Sequence, residues 1–210
     1  MEATSIGSLI RDRSCATLRA IKPSEKFPMS MVCISAGHNP DKKGASFNGF
    51  YEHDEAWEWA MELVTLVSEK YTVDLVPTGA LKAKVDFINT AKPDLAMEIH
   101  FNSAVNSEGE HTGSGSETLY YPGSNRGMRA AKIVQSHLSP IFSPDRGVKE
   151  GYYQLNPSKP PDYFLRKTNC LSLIVEPEFI HKKVLIQEHR EAGCKALNAA
   201  ISEILELISR

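Results

Sequence analysis

Short, unbroken apolar runs separated by stretches of helical period leave this chain few folds to adopt. Leu171-Ser172-Leu173-Ile174-Val175 lacks the alternation of a half-exposed strand and reads as a strand buried on both faces. Residues 31–34, 71–76 and 94–99 read the same way, and residues 117–121 and 152–155 as further strands. Between them, residues 54–70 predict a helix that is apolar over a wide arc, with Trp57, Trp59, Met61, Leu63, Val64, Leu66 and Val67. Leu81, Val85 and Ile88 recur at helical spacing, as do Met128, Ala131, Val134 and Leu138, and Leu197, Ile201, Ile204 and Ile208. This alternation predicts an α/β fold: a mostly parallel twisted sheet covered by helices on both faces, in a single domain.

A chain of 210 residues suits one such domain. Periodicity begins at Met31, so residues 1–29, closing on Lys22-Pro23-Ser24-Glu25-Lys26-Phe27-Pro28, are expected to form an N-terminal extension, and residues 30–210 the catalytic domain. Residues 102–116 are polar and Gly-rich, as a loop beside a site would be. The formal net charge of -2 gives no electrostatic case for nucleic acid or an anionic membrane as partner. No run approaches membrane-spanning length, and the residues from Met1 to Ser5 lack the basic start of a secretory signal. Cys15, Cys33, Cys170 and Cys194 are scattered without a C-x-x-C, which predicts reduced, structural thiols and synthesis in a cytoplasm. A monomer is expected.

Ligands of open parallel sheets gather beyond the C-terminal ends of strands. The first strand runs out through Ser35-Ala36-Gly37 into His38; the strand Leu95-Ala96-Met97-Glu98-Ile99 delivers His100; the strand ending Ile174-Val175 delivers Glu176. Glu52 lies just before the helix that opens at Asp54. Two histidines and a carboxylate around an open position form a hydrolytic zinc site, and a further carboxylate nearby supplies a general base. Each residue also has a plainer reading: His38 as a turn residue, His100 as a satisfied strand-end histidine, Glu52 as an acid favoured at a helix N-terminus. Glu176 is harder to dismiss, because a carboxylate ending an apolar strand needs a partner or a task.

Seven short motifs occur in order: Ile34-Ser35-Ala36-Gly37-His38, Gly44-Ala45, Gly49-Phe50-Tyr51-Glu52, Glu98-Ile99-His100-Phe101-Asn102, Gly115-Ser116-Glu117-Thr118-Leu119-Tyr120-Tyr121, Asp145-Arg146-Gly147-Val148-Lys149 and Val175-Glu176-Pro177-Glu178-Phe179-Ile180. Together they resemble the zinc-dependent N-acetylmuramoyl-L-alanine amidases, over about residues 31–208, and look nearest to the phage endolysin branch. The resemblance implies one Zn2+ per chain on His38, Glu52 and His100, Glu176 as catalytic glutamate, and cleavage of the lactyl–L-alanine amide bond of bacterial peptidoglycan. Asn102 is a candidate substrate-binding or ligand-supporting residue. Where the family often has Asp-Pro before the Gly-His and Gly-Gly after it, this chain has Ser35-Ala36 and Asn39-Pro40, and residues 156–169 carry extra polar, Pro-rich sequence. His53 is a rival ligand, whereas His111, His137, His181 and His189 match nothing and are expected at the surface. Without a signal peptide, action on the wall is expected after release through a membrane hole, as for a phage lysin. A zinc peptidase or carboxypeptidase is the rival activity and would want an arginine clamp, for which Arg146 and Arg166 are the candidates. A non-catalytic wall-binding module would have lost Glu176 or a ligand, and all four residues are present.

Overall fold

The computed structural model describes residues 30–209; the expected N-terminal extension and Cys15 lie outside them. The chain opens with strand β1 (Met31–Ala36), a two-strand hairpin β2 (Ser46–Phe47) and β3 (Phe50–Tyr51), and helix α1 (Glu52–Val67). Then come β4 (Thr72–Leu75), α2 (Leu81–Ala91), β5 (Leu95–Ile99), β6 (Ser116–Tyr120), α3 (Asn125–Leu138) and β7 (Asp145–Glu150). A short α4 (Tyr163–Lys167), β8 (Leu171–Glu176), α5 (Lys183–Glu188) and α6 (Arg190–Ile208) complete it.

The main sheet has six strands in the order β4-β1-β5-β8-β6-β7. Four of its five pairings are parallel; β6 alone meets β8 antiparallel. The expected α/β class therefore holds. After β1 the chain goes outward to β4 and then returns to place β5 on the other side, so the strand order reverses between β1 and β5, the position at which open α/β sheets bind ligands.

Alternation along the strands divides the core in two. Val32, Ile34, Leu95, Met97, Leu173 and Val175 pack toward α1, α3 and α6, against Trp59, Leu63, Val134, Leu138, Leu197 and Ile201. Trp59 is fully buried, its ring 5.6 Å from Phe101 and 5.7 Å from Phe142. Cys33, Ala96, Leu119 and Ile174 face the other way, onto Val85 and Ile88 of α2 and Phe164 and Leu165 of α4. Cys33, Cys170 and Cys194 are free thiols, as expected. Among the described residues no helix is long and apolar enough to cross a membrane.

One strand expectation needs correction, and one strand was not foreseen. Residues 152–155 do not form a strand: a single 3-10 turn, Tyr153–Leu155, stands there, with Gln154 and Leu155 at φ 55° and 51°. Tyr153 and Leu155 are exposed, so nothing selects an extended conformation. The strand in this region is instead β7, Asp-Arg-Gly-Val-Lys-Glu, which contains one apolar residue. It sits at the sheet edge beside β6, half-buried in its middle and exposed at both ends, where burial demands little of its composition.

Candidate active site

β1 ends at this reversal in a turn that presents His38 with φ 57°, a left-handed conformation unusual for a residue with a side chain. The returning loop brings Gly44 so close that a Cβ there would lie 2.3 Å from the His38 ring and 2.5 Å from Glu52 Oε2. Gly37 is equally constrained, because a Cβ would meet the His100 ring at 2.6 Å. These two glycines let the backbone pack against the site without displacing it.

Glu52 is the first residue of α1, two residues ahead of the expected helix start, and is buried. Its Oε2 lies 2.9 Å from His38 Nε2 and accepts from Ala45 N (2.9 Å); its Oε1 lies 2.8 Å from His100 Nδ1 and accepts from Phe101 N (3.2 Å). Burial pushes the Glu52 carboxyl up, but the hydrogen bonds from His100 and then His38 outweigh it and hold the carboxyl well below its usual range. His100 responds in the opposite sense: burial opposes its charge, yet Glu52 and Glu98 together raise it well above an ordinary imidazole. The donor atoms of His38, Glu52 and His100 all lie within 4.8 Å of one another, the single such group among the described residues. Two imidazoles and a buried carboxylate brought together in this way could hold a metal ion such as Zn2+, which would bind in exchange for the protons these groups share. His53 stands apart, its Nδ1 2.7 Å from the Gly37 carbonyl and its Nε2 3.3 Å from Thr78 Oγ1.

Glu176 ends β8, directly across the β6–β8 ladder from Glu117. The two carboxylates have unequal surroundings. Glu117, fully buried, accepts from Asn102 Nδ2 (2.7 Å), Arg146 Nε (2.9 Å) and Lys149 Nζ. Burial alone would raise it, but Lys149 and Arg146 help keep it below the usual range. Glu176 has no lysine or arginine partner among the described residues; burial first, and the charge of Glu117 second, push it up to about 8 against the opposing charge of His100. Two acids whose environments drive their proton affinities apart suit a division of labour between a permanent anion and a proton acceptor. Glu178 points elsewhere and serves the backbone, accepting from Gly115 N (2.7 Å), Phe179 N (2.8 Å) and Ser114 Oγ (3.2 Å).

Sequence reasoning assigned no role to Glu117, Lys149, Glu98 or Lys84. Glu117 carried a signal, a charge inside a strand, and Arg146 and Lys149 are the second and fifth residues of the motif that begins at Asp145. Asn102 lies at the site with its amide nitrogen on Glu117 and its carbonyl oxygen accepting from Ser103 N (2.8 Å). His111 and His181 are not surface residues. Half-buried, they flank Phe47 with ring centroids 4.9 and 6.1 Å away.

Residues 32–202 match the N-acetylmuramoyl-L-alanine amidase family, and the chain belongs to it. An uncharacterized protein of Bacillus subtilis, YqiI, is 32% identical over 155 residues, covering 66% of this chain and 69% of that protein. The catalytic domain of CwlV, an N-acetylmuramoyl-L-alanine amidase of Paenibacillus polymyxa, superposes with a TM-score of 0.72 at 21% identity, covering 85% of this chain and 99% of that one. The catalytic domain of the CD27L endolysin, which targets Clostridia difficile, gives 0.64 at 23% identity, covering 84% and 97%. The shared fold thus extends to endolysin and other amidase domains alike and does not single out the endolysin branch.

Proposed function

We propose that this amidase cuts the amide bond between the lactyl group of N-acetylmuramic acid and L-alanine in peptidoglycan, with zinc held by His38, Glu52 and His100 and with Glu176 as general base. The observation that carries the reading is the His38–Glu52–His100 group, donor atoms within 4.8 Å, at the reversal of strand order and beside the end of β8, where His100 N donates to the carbonyl of Val175, the residue before Glu176 (2.9 Å). Zinc bound there would polarise the scissile carbonyl and acidify a water. Glu176, raised toward neutrality by burial and by Glu117, takes the proton of the attacking water and returns it to the L-alanine nitrogen, which leaves poorly as an anion. Glu117 keeps its charge through Lys149 and Arg146 and so keeps Glu176 basic. Arg146 is tied to Glu117 and lies over the Phe179 ring at 4.8 Å, which does not favour a role as a free clamp for a peptide carboxylate.

Metal analysis together with mass spectrometry of digested cell wall tests the proposal. About one zinc per folded chain, lost in His38→Ala or His100→Ala, and new L-alanine amino termini in the digest are expected. Undiminished activity of the metal-free protein would overturn the zinc assignment. Cleavage elsewhere in the stem peptide would overturn the substrate bond.

A further inference from the structure

Lys84 is unexplained by the reaction. Lysine is almost never fully buried unless paired, yet this one, in the first half of α2, is 3% exposed. Its ammonium donates to the Ala36 carbonyl (2.6 Å), the His38 carbonyl (3.2 Å) and Glu98 Oε1 (2.6 Å). Glu98 is 2% exposed. Its Oε1 also accepts from Ser35 Oγ at 3.1 Å, and its Oε2 lies 3.2 Å from His100 Nε2. One ammonium thus reaches both histidines of the site, His38 through its main chain and His100 through Glu98.

Both contacts bear on geometry. His38 holds φ 57°, which a residue with a side chain keeps only when its surroundings over-determine it. Lys84 ties down the carbonyl of His38 itself and that of Ala36 two residues earlier, at the end of β1. At His100, Glu98 takes the Nε2 side of the ring while Nδ1 faces Glu52 at 2.8 Å. A carboxylate on one ring nitrogen fixes the tautomer that offers the other nitrogen's lone pair, and such partners also set ring orientation. A buried ion pair is at best weakly stabilising compared with apolar side chains of similar size, so stability alone gives no reason for this one.

We propose that the Lys84–Glu98 pair is a positioning device, holding His38 and His100 in ligating orientation before the metal arrives. The inference rests on the reading that His38, Glu52 and His100 bind zinc. Its test compares zinc affinity, by chelator competition, with thermal unfolding of the metal-free protein, in wild type, Glu98→Gln and the double variant Lys84→Met/Glu98→Leu. The double variant leaves neither charge buried alone, so its metal-free melting temperature should stay near that of wild type. Its zinc affinity should nevertheless fall by about 10–100-fold, the usual effect of removing a ligand's supporting partner. A double variant that folds and binds zinc as tightly as wild type overturns the inference. Should it fail to fold, Glu98→Gln decides, because it keeps the shape and removes the charge: weaker binding per folded chain supports the device, and unchanged binding overturns it. A wild type that takes up no zinc overturns the metal site, and this inference with it; variants that match a zinc-binding wild type overturn the inference alone.

Discussion

The two faces of the sheet are built for different ends. On one side three helices, α1, α3 and α6, cover it, and the side chains between are almost all apolar, with Trp59 at the centre. On the other side, among the described residues, α2 and the five-residue α4 lie across it, and Glu98, His100, Glu117 and Glu176 gather at the strand ends, Glu98 beneath Lys84 of α2. By alternation, Glu98 shares its face with Ala96, Glu176 with Ile174 and Glu117 with Leu119. The thick side holds the sheet; the thin side tolerates charge where it is paired, Glu98 with Lys84 and Glu117 with Lys149 and Arg146, whereas Glu176 has neither a lysine nor an arginine partner among the described residues. An enzyme face needs that exception, since a fully paired carboxylate accepts no proton.

Substitutions on the two faces should therefore fail in different ways. Glu176→Gln is expected to lower wall digestion by about 10²–10⁴ while keeping zinc and fold, as loss of a positioned base does. Glu52→Gln should lose zinc first and activity as a consequence. Rates and metal content measured side by side check this, with Glu178→Gln as the control that should still cut; a dead Glu178→Gln beside an active Glu176→Gln would end the assignment. On the thick face, Trp59→Ala should cost about 3–5 kcal/mol of unfolding free energy in denaturant titration. Zinc affinity per folded chain should not change with it, and a matching loss of zinc would dissolve the contrast between faces.

The pH dependence sharpens the same contrast. As the proposed base, Glu176 would act only when deprotonated, and burial with the Glu117 charge pushes it up to about 8, so activity should rise with pH through that region. Glu117→Gln removes one of the influences that raise it and leaves Arg146 and Lys149 nearby, so the midpoint of the pH–rate profile should move to lower pH. A midpoint that stays put would mean that Glu117 does not tune Glu176. The smallest effect is expected from deleting residues 1–25, which precede every motif of the site: wall cleavage should be nearly unchanged, and failure of the truncated chain to fold would redraw the domain boundary.

Much of the candidate site was legible because it lies where short apolar strands stop. His38, His100 and Glu176 each follow such a run, and the structure places the first two around Glu52. What escaped was charge whose meaning is tertiary. Lys84 looks like one more surface lysine of an amphipathic helix until Glu98, 14 residues on, is seen beneath it at 2.6 Å. Glu117 gains its cations from β7, an edge strand whose polar sequence gave no strand signal. The antiparallel entry of β6 was equally hidden, since a buried strand reads the same in either direction.

That reversal, with β8 lying between β5 and β6 although it comes later in the chain, has a consequence for biosynthesis. On the proposed assignment all three metal ligands, His38, Glu52 and His100, precede the proton acceptor Glu176 by at least 76 residues. A chain leaving the ribosome from its N-terminus carries the means to capture an ion long before it has the strand that completes the sheet. With Glu176 as the base, hydrolytic power would be withheld until β8 takes its place between β5 and β6, and a half-made chain could not yet cut.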